Sequence, residues 1–191
     1  MLLQIVQYGE KVLHETGKPV TKFDAELAEL FENMVDTMYE AEGIGLAAQQ
    51  VGLPLMFCVV DLNGCDPDFD YTLDGAKPPF DLFMPMAIAN PKVELIKSKE
   101  LAYEEGCLSF PEIRGDVERT DWIRCEFQDL QGNPHVIEAN GLLGRCIQHE
   151  VDHLNGILFI DRMKKRVLKK IQPQVNQLKA KTLQNLKKAT R

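Results

Sequence analysis

His149-Glu150-Val151-Asp152-His153 puts two imidazoles four residues apart, with a carboxylate directly after the first. The run around it, Leu142 to Leu154, reads as a helix, and Gly156 just beyond it is a stop signal. On a helix, residues i and i+4 share one face with Cβ atoms about 5–6 Å apart, so both rings can meet one metal ion. Glu150 then stands beside the ion, able to take a proton from water activated there without being a ligand itself. That is the layout of a metal-dependent hydrolase. The rival reading is a chance match on an ordinary helix, and a third ligand decides between them.

Catalytic zinc-type sites keep three protein ligands and leave one position for water. No His follows His153 and no Glu follows Glu150, so Asp161 is the sole acid outside the motif on the downstream side. The common zinc-protease arrangement, with its third ligand further along the chain, loses its support. Upstream the options are His14, His135, a carboxylate or one of five cysteines. Cys107 stands out. It lies in Glu105-Gly106-Cys107-Leu108-Ser109, followed by Phe110-Pro111, where glycine and proline make the backbone irregular and open. Coordination deprotonates a thiol outright, so a His-His-Cys set is chemically sound. Cys58, Cys125 and Cys146 read instead as small buried apolar residues.

Three segments belong together: Gly43-Ile44-Gly45-Leu46-Ala47-Ala48-Gln49-Gln50, then Glu105 to Ser109, then Gln148-His149-Glu150-Val151-Asp152-His153-Leu154-Asn155-Gly156. In this order and spacing the chain resembles the peptide deformylases, with all three signature motifs intact, from Lys18-Pro19-Val20 to Asp161. The resemblance implies that Cys107, His149 and His153 bind the metal and that Glu150 is the general acid/base. It also implies that the Gln50 side chain and the Leu108 N–H face the oxygen of the scissile formyl group. Gly45, Ile44, Gly106, Arg114, Leu142 and Cys146 would then contact the substrate. The implied activity is removal of the formyl group from the N-terminal formylmethionine of new polypeptides, with release of formate. Ferrous iron is the implied metal, while zinc, nickel or cobalt suit the same donors. The implied fold is α+β: small antiparallel sheets around a central metal-binding helix, with an N-terminal and a C-terminal helix.

Elementary chemistry agrees with those roles. Water activated at the metal attacks the formyl carbon. Charge builds on the formyl oxygen, where Gln50 and the Leu108 N–H can stabilise it. Glu150 carries the proton to the departing amine. Other readings are weaker. Gly43-x-Gly45-x-x-Ala48 fits a loose dinucleotide pattern, but that needs a strand before and a helix after, and here the order is reversed. A zinc peptidase of another family, or a ribosome-associated protein that has lost catalysis, would share the motif; cleavage of unformylated peptides, or absence of turnover, would reveal them. Gln148 and Asp152 flank the ligands and are candidates to hold them by hydrogen bonds. Arg145 departs from the apolar residue the family usually has there, and the expectation is that its guanidinium snorkels to water over its alkyl stem.

The 191 residues, 45% hydrophobic, are enough for one domain with a sizeable core. No apolar run of about 18 residues is present, and Met1 to Glu10 resembles neither a secretory nor a transit signal. Five cysteines without C-x-x-C spacing fit reduced thiols in a cytoplasm. From Arg162 to Arg191 there are 11 Lys/Arg and no acids, leaving −18 for the remainder of a chain whose net charge is −7. A basic tail on an acidic body points to a polyanion, and with the resemblance to RNA at the ribosome exit. The expected partners are formylmethionyl nascent peptides and the ribosome, with no membrane and no DNA, for a monomer.

Along the chain, Asp24 to Ala41 reads as an amphipathic helix stopped by Gly43, with Leu27, Leu30, Phe31, Met34, Val35 and Met38 on its apolar face. Leu55 to Asp61 reads as a strand, Met86 to Leu101 as strand interrupted by a turn at Asn90-Pro91, Asp116 to Phe127 as one strand, and His135 to Glu138 as another after a turn. Pro173 should kink or restart a C-terminal helix bearing Leu168, Ile171, Val175, Leu178, Thr182 and Leu186. Residues 63–83, rich in Asp, Pro and Gly, read as an inserted, solvated, mobile loop. The expected division is a catalytic domain over 1–161 and a basic helical extension over 162–191.

Overall fold

The computed structural model describes residues 1–66, 68–96 and 99–189. Helix α1 spans Ala25–Glu40, and Asp24 caps it by accepting from the Glu26 and Leu27 amides at 3.1 and 3.3 Å. Its buried face, Leu27, Phe31, Met34, Val35 and Met38, repeats at helical spacing and packs under the first strands. Glu42, not Gly43, takes the left-handed turn after the helix (φ 55°). Gly43 answers to close approach, since a Cβ there would lie 2.8 Å from Leu108 Cδ1.

Strands β1 (Gly45–Ala47), β2 (Phe57–Val60), β3 (Tyr71–Leu73) and β4 (Met86–Leu95) follow. After them come β5 (Glu100–Cys107), β6 (Phe110–Thr120), β7 (Ile123–Gln128) and β8 (Pro134–Ala139). The chain ends in α2 (Gly141–Leu154), the short α3 (Phe159–Arg162) and α4 (Lys165–Ala189). Six strands form one antiparallel sheet in the order β1-β2-β4-β7-β8-β3, and β5 and β6 pair separately as a hairpin. Helix α2 lies against the six-stranded sheet through Leu143, Ile147, Val151 and Leu154, a stripe of one helical face. Antiparallel sheets around a central helix make this an α+β fold, as expected.

Several local expectations need correction. Asn90-Pro91 is a bulge inside one continuous strand, because Asn90 adopts a left-handed conformation (φ 52°) and its side chain is bonded to Val20 and Gln128. The expected strand over Asp116–Phe127 is two strands, broken at Asp121-Trp122. The described part of residues 63–83 is not a solvated loop. It supplies β3, which pairs with β8, and its rings Phe69, Tyr71, Phe80 and Phe83 pack together against the core. Composition suggested solvent, but four aromatics supply the apolar area that holds the segment down.

Helix α4 runs unbroken through Pro173. Val175 and Thr182 are buried, and Val167, Leu168, Ile171 and Leu178 pack with Met163 and Phe110. Gly115 permits this seating, since a Cβ would meet Met163 Cε at 2.8 Å. Among the described residues no helix is long and apolar enough to cross a membrane. If the aromatic segment is structural, Tyr71→Ala should cost about 3 kcal/mol in urea unfolding, the scale of large-to-small core changes. A mobile loop would give no measurable change.

Candidate active site

Four pieces of chain converge beside α2. Cys107 ends β5, and Leu108-Ser109 form the turn into β6. Gln50 sits in the single helical turn Ala48–Val51 that follows β1. The N-terminal segment ties the last two together: the Val6 amide donates to Gln50 O at 2.8 Å and the Tyr8 amide to Ser109 O at 3.0 Å. His149 and His153 share one face of α2 through their i and i+4 spacing, turned away from its sheet-packed stripe, and Glu150 stands between that face and the stripe.

The ligand atoms of Cys107, His149 and His153 all lie within 4.8 Å of one another, and Cys107 Sγ is 3.2 Å from His153 Nε2. His149 Nδ1–H donates to Glu105 Oε2 at 3.0 Å, which fixes the tautomer and leaves Nε2 for the centre. Burial opposes a charged His149, but hydrogen bonds to Cys107 and Glu105 and the charge of Glu150 outweigh it and raise its pKa to about 10. His153 is pushed well below its ordinary value by burial and by the charge on His149. One thiol and two imidazoles with their donor atoms this close together fit a divalent metal.

Gln50 is buried; its Oε1 accepts from the Ala47 amide at 2.8 Å, which turns Nε2 toward Cys107 Sγ at 3.4 Å and Ser109 Oγ at 3.5 Å. Glu150 is 4% exposed, and its Oε2 has no hydrogen-bond partner among the described residues. Burial pushes its pKa up to about 7 against the lowering charges of His149 and Arg119. Gly45 is required beside it, because a Cβ would stand 2.4 Å from Glu150 Oε1.

A cleft of about 700 Å³ opens onto these groups. Its lining includes Ile44, Gly45 and Gln50, Gly106, Cys107, Leu108 and Arg114, and Leu142, Cys146, His149 and Glu150 of α2. Among the residues expected to bind metal or substrate or to act in catalysis, His153, 1% exposed, is the one absent from that lining; Gln148 and Asp152 are absent from it too. The lining includes Gly45 of β1, the edge strand of the large sheet, and residues of both hairpin strands, β5 and β6.

The residue that sequence reasoning missed is Glu105. Besides His149, its carboxylate takes Arg119 in a bidentate pair at 2.7 and 3.0 Å and Arg145 Nη1 at 2.6 Å. Burial raises its pKa, but His149 and Arg119 outweigh that and hold it far below the usual carboxylate range. Arg119 goes on to Asp152 at 2.8 Å, which also takes Arg162. Asp152 therefore anchors the network rather than touching a ligand imidazole, and Gln148 bonds Thr120 O and Gly144 O. Arg145 does not snorkel: its guanidinium turns inward to Glu105, Leu101 O and Val117 O over the Tyr103 ring. Glu105 opens the Glu105–Ser109 motif two residues before Cys107, and membership of that motif is its local signal.

Because unfolded Glu150 titrates near 4.5 and the folded group near 7, folding is penalised as pH rises through that window. With metal chelated, Glu150→Gln should therefore stabilise the protein by about 3 kcal/mol at pH 8. The gain should shrink toward pH 4.5 in thermal melts; a pH-independent difference would contradict burial as the cause.

The sequence profile of a family described as polypeptide deformylase matches residues 2–169. A peptide deformylase of Opitutus terrae is 54% identical over 179 residues, covering 93% of each chain. The crystal structure of the peptide deformylase from Thermotoga maritima superposes with a TM-score of 0.73 at 39% identity, covering 86% of this chain and 99% of that one. That from Synechococcus elongatus does so at 0.75 and 37% identity, covering 94% and 85%.

Proposed function

The chain belongs to the polypeptide deformylase family, and from that premise we propose which of its residues carry the reaction. The reaction is metal-dependent hydrolysis of the formyl amide of N-formylmethionyl peptides, giving formate and a free amino terminus. The observation that carries our reading is a Cys107–His149–His153 donor set beside buried Glu150, at a cleft lined by the sheet-edge strand β1 and by both strands of the two-stranded hairpin. An extended peptide can hydrogen-bond to such edges through its main chain, which suits a substrate read by its terminus more than by its sequence.

In this reading Cys107, His149 and His153 hold the metal, which when bound supplies Lewis acidity to the formyl oxygen and to water. Glu150 takes a proton from the attacking water at its carboxylate as the oxygen adds to the formyl carbon. Its pKa near 7 suits a group that must both accept and release a proton at neutral pH. Gln50 Nε2–H and the Leu108 N–H donate to the oxygen on which charge accumulates. The C–N bond then breaks, the proton passes from Glu150 to the departing amine, and formate leaves. Ile44, Gly45, Gly106 and Arg114 flank the peptide, and Leu142 and Cys146 line the recess for the methionine side chain. We assign ferrous iron as the native ion, with Zn2+, Ni2+ or Co2+ as substitutes for the same donors.

We further place the enzyme in the cytoplasm at the ribosome exit. Residues 1–161 serve as the catalytic domain and 162–191 as a cationic docking helix. The support is charge: +11 on 162–191 against −18 elsewhere. Because α4 is packed as far as Thr182, cutting it off would strip part of the core. Neutralising the exposed Lys170, Lys181, Lys187 and Lys188 to Gln is the cleaner test. Co-sedimentation with ribosomes should weaken and lose salt dependence while activity on short peptides persists; unchanged co-sedimentation removes the idea.

The catalytic assignment is tested by Glu150→Ala. Metal content should stay at the parent level while formate release from formyl-Met-Ala-Ser falls below detection. A fully active variant would overturn the role of Glu150.

A further inference from the structure

Two separately anchored pieces carry the proposed ligands. Cys107 ends β5 in the β5–β6 hairpin, which among the described residues shares no ladder with the six-stranded sheet, whereas His149 and His153 ride on α2, packed against that sheet. The spacing of thiol and imidazoles therefore depends on what joins hairpin to helix. Arg145, one helical turn before His149, reaches both strands of the hairpin. Its Nη1 donates to Glu105 Oε1 at 2.6 Å and Val117 O at 3.1 Å, and its Nη2 donates to Leu101 O at 2.7 Å. The guanidinium carbon lies 4.9 Å from the Tyr103 ring centroid, and the side chain is 11% exposed.

Arg145 and His149 divide one carboxylate between them: Arg145 bonds Glu105 Oε1 and His149 bonds Oε2. The group that orients a ligand imidazole is thus itself held by a residue of the ligand helix. We propose that Arg145 is a positioning residue that clamps the Cys107 hairpin onto the helix of the two histidines and so sets how tightly the site holds its metal. The proposal rests on Cys107, His149 and His153 being the ligands. It gives the inward-turned arginine a purpose other than shaping the recess for the substrate side chain.

Methionine keeps the length and apolar stem of Arg145 but none of its donors. In Arg145→Met, Glu105 retains its bidentate pair with Arg119, so the hairpin keeps its other buried anchor and the protein should fold. The test is a titration of chelator-stripped protein with Co2+, read by the thiolate-to-cobalt charge-transfer band. It uses the parent, Arg145→Met, Arg145→Lys, Glu105→Gln and the Glu105→Gln/Arg145→Met double variant. Arg145→Met should keep the band but bind Co2+ about 10–100-fold more weakly, the usual effect of losing a group that supports a ligand. Arg145→Lys should fall between, and the arginine change should cost less once Glu105 is already Gln. Affinity within twofold of the parent, or an equal loss with and without Glu105, would overturn the proposal; so would a lower melting temperature with unchanged Co2+ affinity. A parent that binds Co2+ without the thiolate band would instead remove the ligand assignment beneath it.

Discussion

Everything at the site hangs on one buried carboxylate. Glu105 accepts from His149, Arg119 and Arg145, so a single side chain on β5 joins a metal-site imidazole to two arginines, one on the hairpin and one on the helix. Removing one partner of such a cluster leaves a buried charge uncompensated, typically at a cost of about 3–5 kcal/mol. The same cost makes the arrangement definite: the hairpin cannot slide along the helix without stranding charge. That constraint brings Cys107 within reach of the two histidines, although 42 residues of chain separate Cys107 from His149.

Two carboxylates within this small volume are driven in opposite directions. Glu105 has cationic and donor partners and stays ionised. Glu150 is buried with one oxygen unpartnered, and its pKa climbs to about 7. Environment alone separates them, and in the proposed reading it gives them different tasks: one a fixed negative charge that orients a ligand, the other a mobile proton carrier. Gly45 lets the second task exist, since any side chain there would displace the Glu150 carboxylate.

How much of this was legible in the sequence follows the range of the interactions. Helices α1 and α2 could be read because apolar periodicity and capping are local, and the His149–His153 spacing is a property of one helix. Cys107 needed a glycine-flanked turn and a likeness between whole motifs, because no local rule links it to α2. Glu105 and Arg145 could not be read: their partners lie 14 to 44 residues away, and isolated charged residues are ordinarily solvated. Tyr71 and its neighbours were hidden by the Asp, Pro and Gly around them, and the bulge at Asn90 by a proline that elsewhere ends a strand. Arg145 was expected at the surface because its alkyl stem permits snorkelling; a buried carboxylate and the carbonyls of Leu101 and Val117 hold it inward instead.

The most direct test of the account is formate release from formyl-Met-Ala-Ser by protein purified without oxygen, with metal quantified per chain, in the parent and in Cys107→Ala. The expected result is rapid release by a parent carrying about one iron per chain, with both metal and turnover lost in Cys107→Ala. Release that persists in Cys107→Ala, or a fully metallated parent that liberates no formate, would contradict it.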